Sequence, residues 1–219
     1  MTETSDRAQL NGLRTPKSAA VAGIIFAVLF TSCVVLMITA LPADVASPWV
    51  HGRTRIRTAL VLAPFAGIAF LWFIAVVRDG FGHLEDRFFT TVFLGSGLLF
   101  MAMTFISMAI AGAILDESGR PDASSNVIYF GREAMVHINT AFGLRMGGVF
   151  MISLGTIWLR TQLMPRWLVI LTYLIALTLL LAIGFSLWVV LTFPVWVFLI
   201  SVHILLTHRH PSWAHVPDR

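Results

Sequence analysis

From Trp167 to Leu206 the chain runs forty residues without one charged side chain. A single helix of that length would measure about 60 Å, twice the ~30 Å hydrocarbon core of a bilayer. The segment therefore predicts two membrane helices joined by a tight turn. The best break is Gly184-Phe185-Ser186, because glycine and serine are the only local punctuation.

The remaining sequence repeats the theme. Only 12% of the 219 residues are charged and 58% are hydrophobic, against about 25% charged in a soluble domain. The apolar runs are continuous rather than alternating, which excludes a transmembrane β-barrel. The expected fold is all-α, a polytopic membrane protein built as a six-transmembrane-helix bundle. Residues 1–17 form a polar, disordered N-terminus, residues 18–206 one transmembrane domain and residues 207–219 a polar tail. The first four spans are placed at Ser18–Leu41, Arg57–Val77, Phe88–Leu115 and Ala134–Leu159. Between the third and fourth lies the longest internal loop, residues 116–133. Six spans put both termini on one side. That side carries Arg7, Arg14, Lys17, Arg78, Arg87, Arg160, Arg166, Arg209 and Arg219, against Arg53, Arg55, Arg57, Arg120 and Arg132. The excess of basic residues places the termini in the cytoplasm.

Most signatures of chemistry are missing. The lone Cys33 lies in an apolar run and reads as a small core residue. Ser96 sits between two glycines, and a serine nucleophile needs a base, for which His137 and His203 are the candidates. His203 is the better placed, yet Gly95-Ser96-Gly97 is equally a small-residue packing patch. The histidines are scattered among the far face, the tail (His208, His210, His215) and a charged turn (His83 with Glu85 and Asp86), so no metal and no cofactor is expected. No nucleic-acid module is present. No carboxylate lies deep in a span, which argues against proton or sodium coupling through one.

The stretch NTAFGLRMGGVF, residues 139–150, holds the one charge inside an apolar run, Arg145. Such an arginine costs about 2.5–3.5 kcal/mol at a helix centre on insertion scales. Three readings are open: snorkelling to the headgroups, a structural pair with Asp116 or Glu117, or a site for an anion or lipid headgroup. For the last, Pro64 and Pro194 are expected near the depth of Arg145, freeing the carbonyls of Leu60 and Val190. Arg57 and His137 would line the mouth of the same outward-facing cavity. Gly143 and Gly147 form a GxxxG, suited to packing within the chain or to a homo-oligomer.

The segment LRTQLMPRWLVILTYLIAL, Leu159 to Leu177, resembles the basic turn and following helix of a family of uncharacterised multi-span bacterial integral membrane proteins, many from high-GC Gram-positive species. GHLEDRFFTTVFLGSGLLF, Gly82 to Phe100, has the same character. The resemblance implies a bacterial inner-membrane protein and brings no activity or site residue with it. Three functions are therefore carried forward. One is binding or transport of an anion or lipid headgroup; the others are a membrane enzyme on a lipid or isoprenoid substrate and a structural subunit of a membrane complex.

Overall fold

The computed structural model describes residues 15–45, 47–49, 52–79, 87–162, 164–181 and 187–207. Six helices make up the fold: α1 (Thr15–Ala40), α2 (Arg53–Asp79), α3 (Arg87–Glu117), α4 (Ser125–Thr161), α5 (Arg166–Leu181) and α6 (Thr192–Thr207). A short 3₁₀ turn, Leu187–Leu191, leads into α6. Among the described residues there is no strand. With that turn included for α6, every helix but α5 is long and apolar enough to cross a membrane. The described part of α5 has 16 residues, about 24 Å of helix.

The surface explains why this bundle belongs in lipid. Large apolar side chains point outward from every helix, among them Val28, Phe65, Trp72, Leu99, Leu174 and Phe198. In water such a surface would aggregate; in a bilayer it meets acyl chains at no cost. Burial is therefore spent on shape rather than on escape from solvent, and the centre is aromatic. Phe26 (α1), Phe70 (α2), Phe100 (α3), Phe150 (α4) and Phe193 (α6) are all fully buried. Their rings meet one another at centroid distances from 4.4 Å for Phe100–Phe193 to 6.2 Å for Phe26–Phe193. Trp196 joins them edge-on to Phe150 and donates its indole N–H to Thr172 Oγ1 of α5 at 3.0 Å.

Small residues let the helices close on this centre. A methyl group on Gly97 of α3 would stand 3.0 Å from the Phe150 ring, and one on Gly147 of α4 would stand 3.3 Å from Phe193. Toward the end away from the termini a second apolar cluster takes over, with Cys33, Met37, Ile56, Met108, Ile114, Ile128 and Met135 in its core.

Two sequence expectations need correction. First, the fourth helix begins at Ser125, nine residues before Ala134, so the long loop is much shorter than expected. Charged Arg132 and Glu133 suggest loop, but the segment is amphipathic and buries Ile128 and Met135. Glu117 accepts the Ser124 N–H at 3.1 Å, tying the start of α4 to the end of α3. Secondly, Pro194 does not stand inside a uniform α-helix: it is the third residue of the α-helical part of α6, directly after the contiguous 3₁₀ turn Leu187–Leu191. Pro64 does lie inside α2. The Gly184–Ser186 break, the turn holding His83, Glu85 and Asp86, and residues 1–14 and 208–219 lie outside the described residues.

Candidate functional site

Arg145 stands in the first turn after an irregularity. Between the α-helical parts Ser125–His137 and Leu144–Thr161, α4 opens into a π-helical stretch, Ile138–Gly143. There the Leu144 N–H donates to the Asn139 carbonyl, five residues back. The stretch has a packing cause. Gly131 approaches Ile114 of α3, the Met135 carbonyl accepts Ser107 Oγ at 3.1 Å, Gly143 approaches Met103 and Gly147 approaches Phe100. These α4 positions are spaced by multiples of four over sixteen residues. An unbroken α-helix would rotate such a stripe by about 160°. The wider turn takes up much of that drift and keeps α4 on α3 along its length.

Asn139 belongs to the same stripe. Its Oδ1 is buried without a hydrogen-bond partner, and it borders a small cavity of about 50 Å³ with Ser107, Met108 and Val190. The parallel ridge, His137–Ala141–Arg145, lies on another side of α4. Arg145 is half-buried, and its Nη1 donates to the Ala141 carbonyl four residues back. That is its sole partner among the described residues, and no carboxylate lies within ion-pair distance of it. The bond directs the guanidinium along the helix toward the end away from the termini, as side chains on a helix normally lean.

α5 packs on α4 close by. A methyl on Gly148 would stand 3.0 Å from Leu180 Cγ and 3.1 Å from the Ala176 carbonyl. Arg145 is one turn before Gly148 on α4, near mid-length of the helix: 20 residues follow Ser125 to reach it and 16 follow it to Thr161.

The other sequence candidates are placed as follows. Pro194 lies close in level, since its neighbour Phe193 packs against Gly147. Val190 lines the Asn139 cavity. Pro64 is exposed on α2; Leu60, a turn before it, points its Cδ1 to within 3.6 Å of a methyl placed on Gly112 of α3. Arg57 lines a shallow groove of its own with Thr54, Thr58 and Val61. His137 is exposed and lies 3.9 Å from Glu133. These residues thus occupy separate surfaces, with Arg145, Ala141 and His137 sharing one ridge. Glu117 is engaged by Arg120 at 3.5 Å and by Ser124. Asp116 is thirteen residues along α3 from Met103, the level of Gly143, or roughly 20 Å away. Neither pairs with Arg145.

Ser96 Oγ donates to the Val92 carbonyl at 2.6 Å, while His203 stands edge-on to Trp167, 6.1 Å between rings. No serine–histidine pair forms between them. Among the described residues no three His, Cys, Asp or Glu side chains gather to hold a metal. Gly143 and Gly147 are both buried within the chain, against Met103, Phe100 and Phe193, so their face is already filled. Sequence reasoning missed Asn139 and the π-helical stretch. A lone amide in an apolar run is the signal that marks the first; nothing local marks the second. No protein-family model, curated protein or solved structure matches the chain. What its helices and surface define is a class, the helical integral membrane protein.

Proposed function

We propose that this protein sits in a bacterial cytoplasmic membrane with both termini cytoplasmic and binds an anionic group, a carboxylate, phosphate or lipid headgroup, at Arg145. One observation carries the reading. A guanidinium has five N–H donors, and at mid-length of a membrane helix this one engages, among the described residues, a single carbonyl of its own helix. Desolvated donors of this kind are strong recognition elements for oxyanions. The adjoining π-helical stretch supports the reading, because such insertions concentrate at functional sites.

The test is native mass spectrometry of the protein released from nanodiscs, comparing wild type with Arg145→Lys and Arg145→Leu. Wild type is expected to retain an anionic lipid or solute that Arg145→Leu loses by a factor of ten or more, with Arg145→Lys intermediate. A folded Arg145→Leu protein with an unchanged complement of bound molecules would falsify the proposal.

A further inference from the structure

We infer a second oxyanion site, independent of Arg145, in the cleft between the end of α1 and the start of α2, built for a phosphate group. The cleft measures about 690 Å³ and lies at the end of the bundle away from the termini. Its walls are the α1–α2 connection and the first turn of α2, including Thr39, Asp44, Ser47, Arg53 and Arg55.

Charge distinguishes this cleft from an ordinary surface dent. Arg55 Nη1 donates to the Thr39 carbonyl at 3.2 Å, which holds the guanidinium on the wall, and Arg55 has no other side-chain partner among the described residues. Arg53 has no hydrogen-bond or ion-pair partner among the described residues; its guanidinium lies against Gly119, in the turn after α3. Arg132 reaches over from α4 and donates to the carbonyls of Pro42 at 2.8 Å and Asp44 at 3.2 Å, fixing the connection in place. The carboxylate in the cleft wall, Asp44, accepts Ser47 Oγ at 2.7 Å and acts, with Glu133, on Arg132. Asp44 and Glu133 thus set charge against Arg132, while Arg53 and Arg55 form no ion pair among the described residues.

The backbone adds to this. Gly52 takes φ +93° and crosses the end of α1 so closely that a methyl there would stand 3.0 Å from the Ala40 carbonyl. Only glycine turns the chain readily in this space, at the start of α2, whose first N–H groups have no partner within the helix. The volume far exceeds a bare phosphate ion and suits a phosphate carried on a larger polar body. At the ends of two apolar helices, the nearest source of that chemistry is a phospholipid headgroup.

The full-length protein is tested in phosphatidylcholine nanodiscs, with and without phosphatidylglycerol, and separately against inorganic phosphate, reading thermal stability and bound mass. Wild type is expected to gain stability with one of the two probes. Arg53→Gln/Arg55→Gln should weaken that response by at least tenfold, and Arg53→Lys/Arg55→Lys should keep part of it. A response to phosphatidylglycerol alone assigns a headgroup; a response to inorganic phosphate alone assigns a soluble anion. No response to either, or an undiminished response in the glutamine variant, overturns the inference. Because Arg53 has no hydrogen-bond or ion-pair partner among the described residues, the single variant Arg53→Gln is expected to fold and serves if the double variant does not. Arg145→Leu, run in parallel, should leave this response intact. If it alone removes the response, the second site falls while the Arg145 site stands.

Discussion

At the scale of single residues, several buried hydroxyls are absorbed by the helix that carries them. Thr104, Ser96, Thr172 and Ser153 turn their hydroxyls back to carbonyls of their own helices. Arg145 does the same with Ala141, but one carbonyl does not saturate a guanidinium. Ser201 is another exception: its fully buried Oγ has no partner, and it sits where a methyl on Gly23 of α1 would overlap it. Phe73 closes the same space, 2.9 Å from that methyl. Gly23→Ala is therefore expected to destabilise the protein by about 1–3 kcal/mol, the usual cost of overpacking. Adding Ser201→Gly should recover part of the loss. The rate of Cys33 alkylation is a suitable readout, since this single thiol is buried beside the Ala59 carbonyl. Equal rates for the single and double variants would show that the two side chains do not meet.

At the scale of helices, α5 is tied to the bundle by polar contacts with α4 and α6. It packs on α4, where Thr156 and the Tyr173 hydroxyl meet at 2.8 Å. It meets α6 through Trp196 and Thr172, whose own hydroxyl continues to the Leu168 carbonyl at 2.9 Å. Interhelical hydrogen bonds in membranes average about 0.6 kcal/mol and reach about 1.7. Thr172→Val keeps the shape but strands the Trp196 N–H, so a loss of about 1 kcal/mol is expected by reversible unfolding in detergent. Thr178→Val is the control, because Thr178 is exposed and bonds only to Leu174. A loss no larger than in this control would remove the indole bond from the account. Residue patterns foretold that helices occur here, but not how α4 is wound. Nothing local in INTAFG demands a π turn. The turn follows from four α3 contacts spread over sixteen residues of α4.

At the scale of the whole molecule, the aromatic centre is what joins α1, α2, α3, α4 and α6. Phe193 touches Phe26, Phe70, Phe100, Phe150 and Trp196. Phe193→Ala is expected to cost about 3 kcal/mol, the low end for a buried phenylalanine, because lipid rather than water surrounds the bundle and the cavity term dominates. Phe88→Ala, at a side chain 66% exposed, should cost almost nothing. Comparable losses at the two sites, measured by Cys33 alkylation, would mean that the centre is not what holds the bundle.

Sequence alone determined the class of the molecule, the number of helices and the rarity of Arg145, because each rests on local composition: enough apolar residues in a row, or one charge among them. It also marked Pro64 correctly as internal to a helix. Only the tertiary structure decided which faces meet. It put Pro194 directly after a 3₁₀ turn, extended α4 back to Ser125, filled the Gly143 and Gly147 face, and separated Arg57 from Arg145. The reason is the solvent. In water an apolar stripe reveals the buried side of a helix, but in lipid both sides are apolar. Exposed Val28 and buried Phe26 lie on the same helix with no polar face between them. Facing is then set by shape, the fit of a glycine to a ring, and shape is known only when the partner helix is in place.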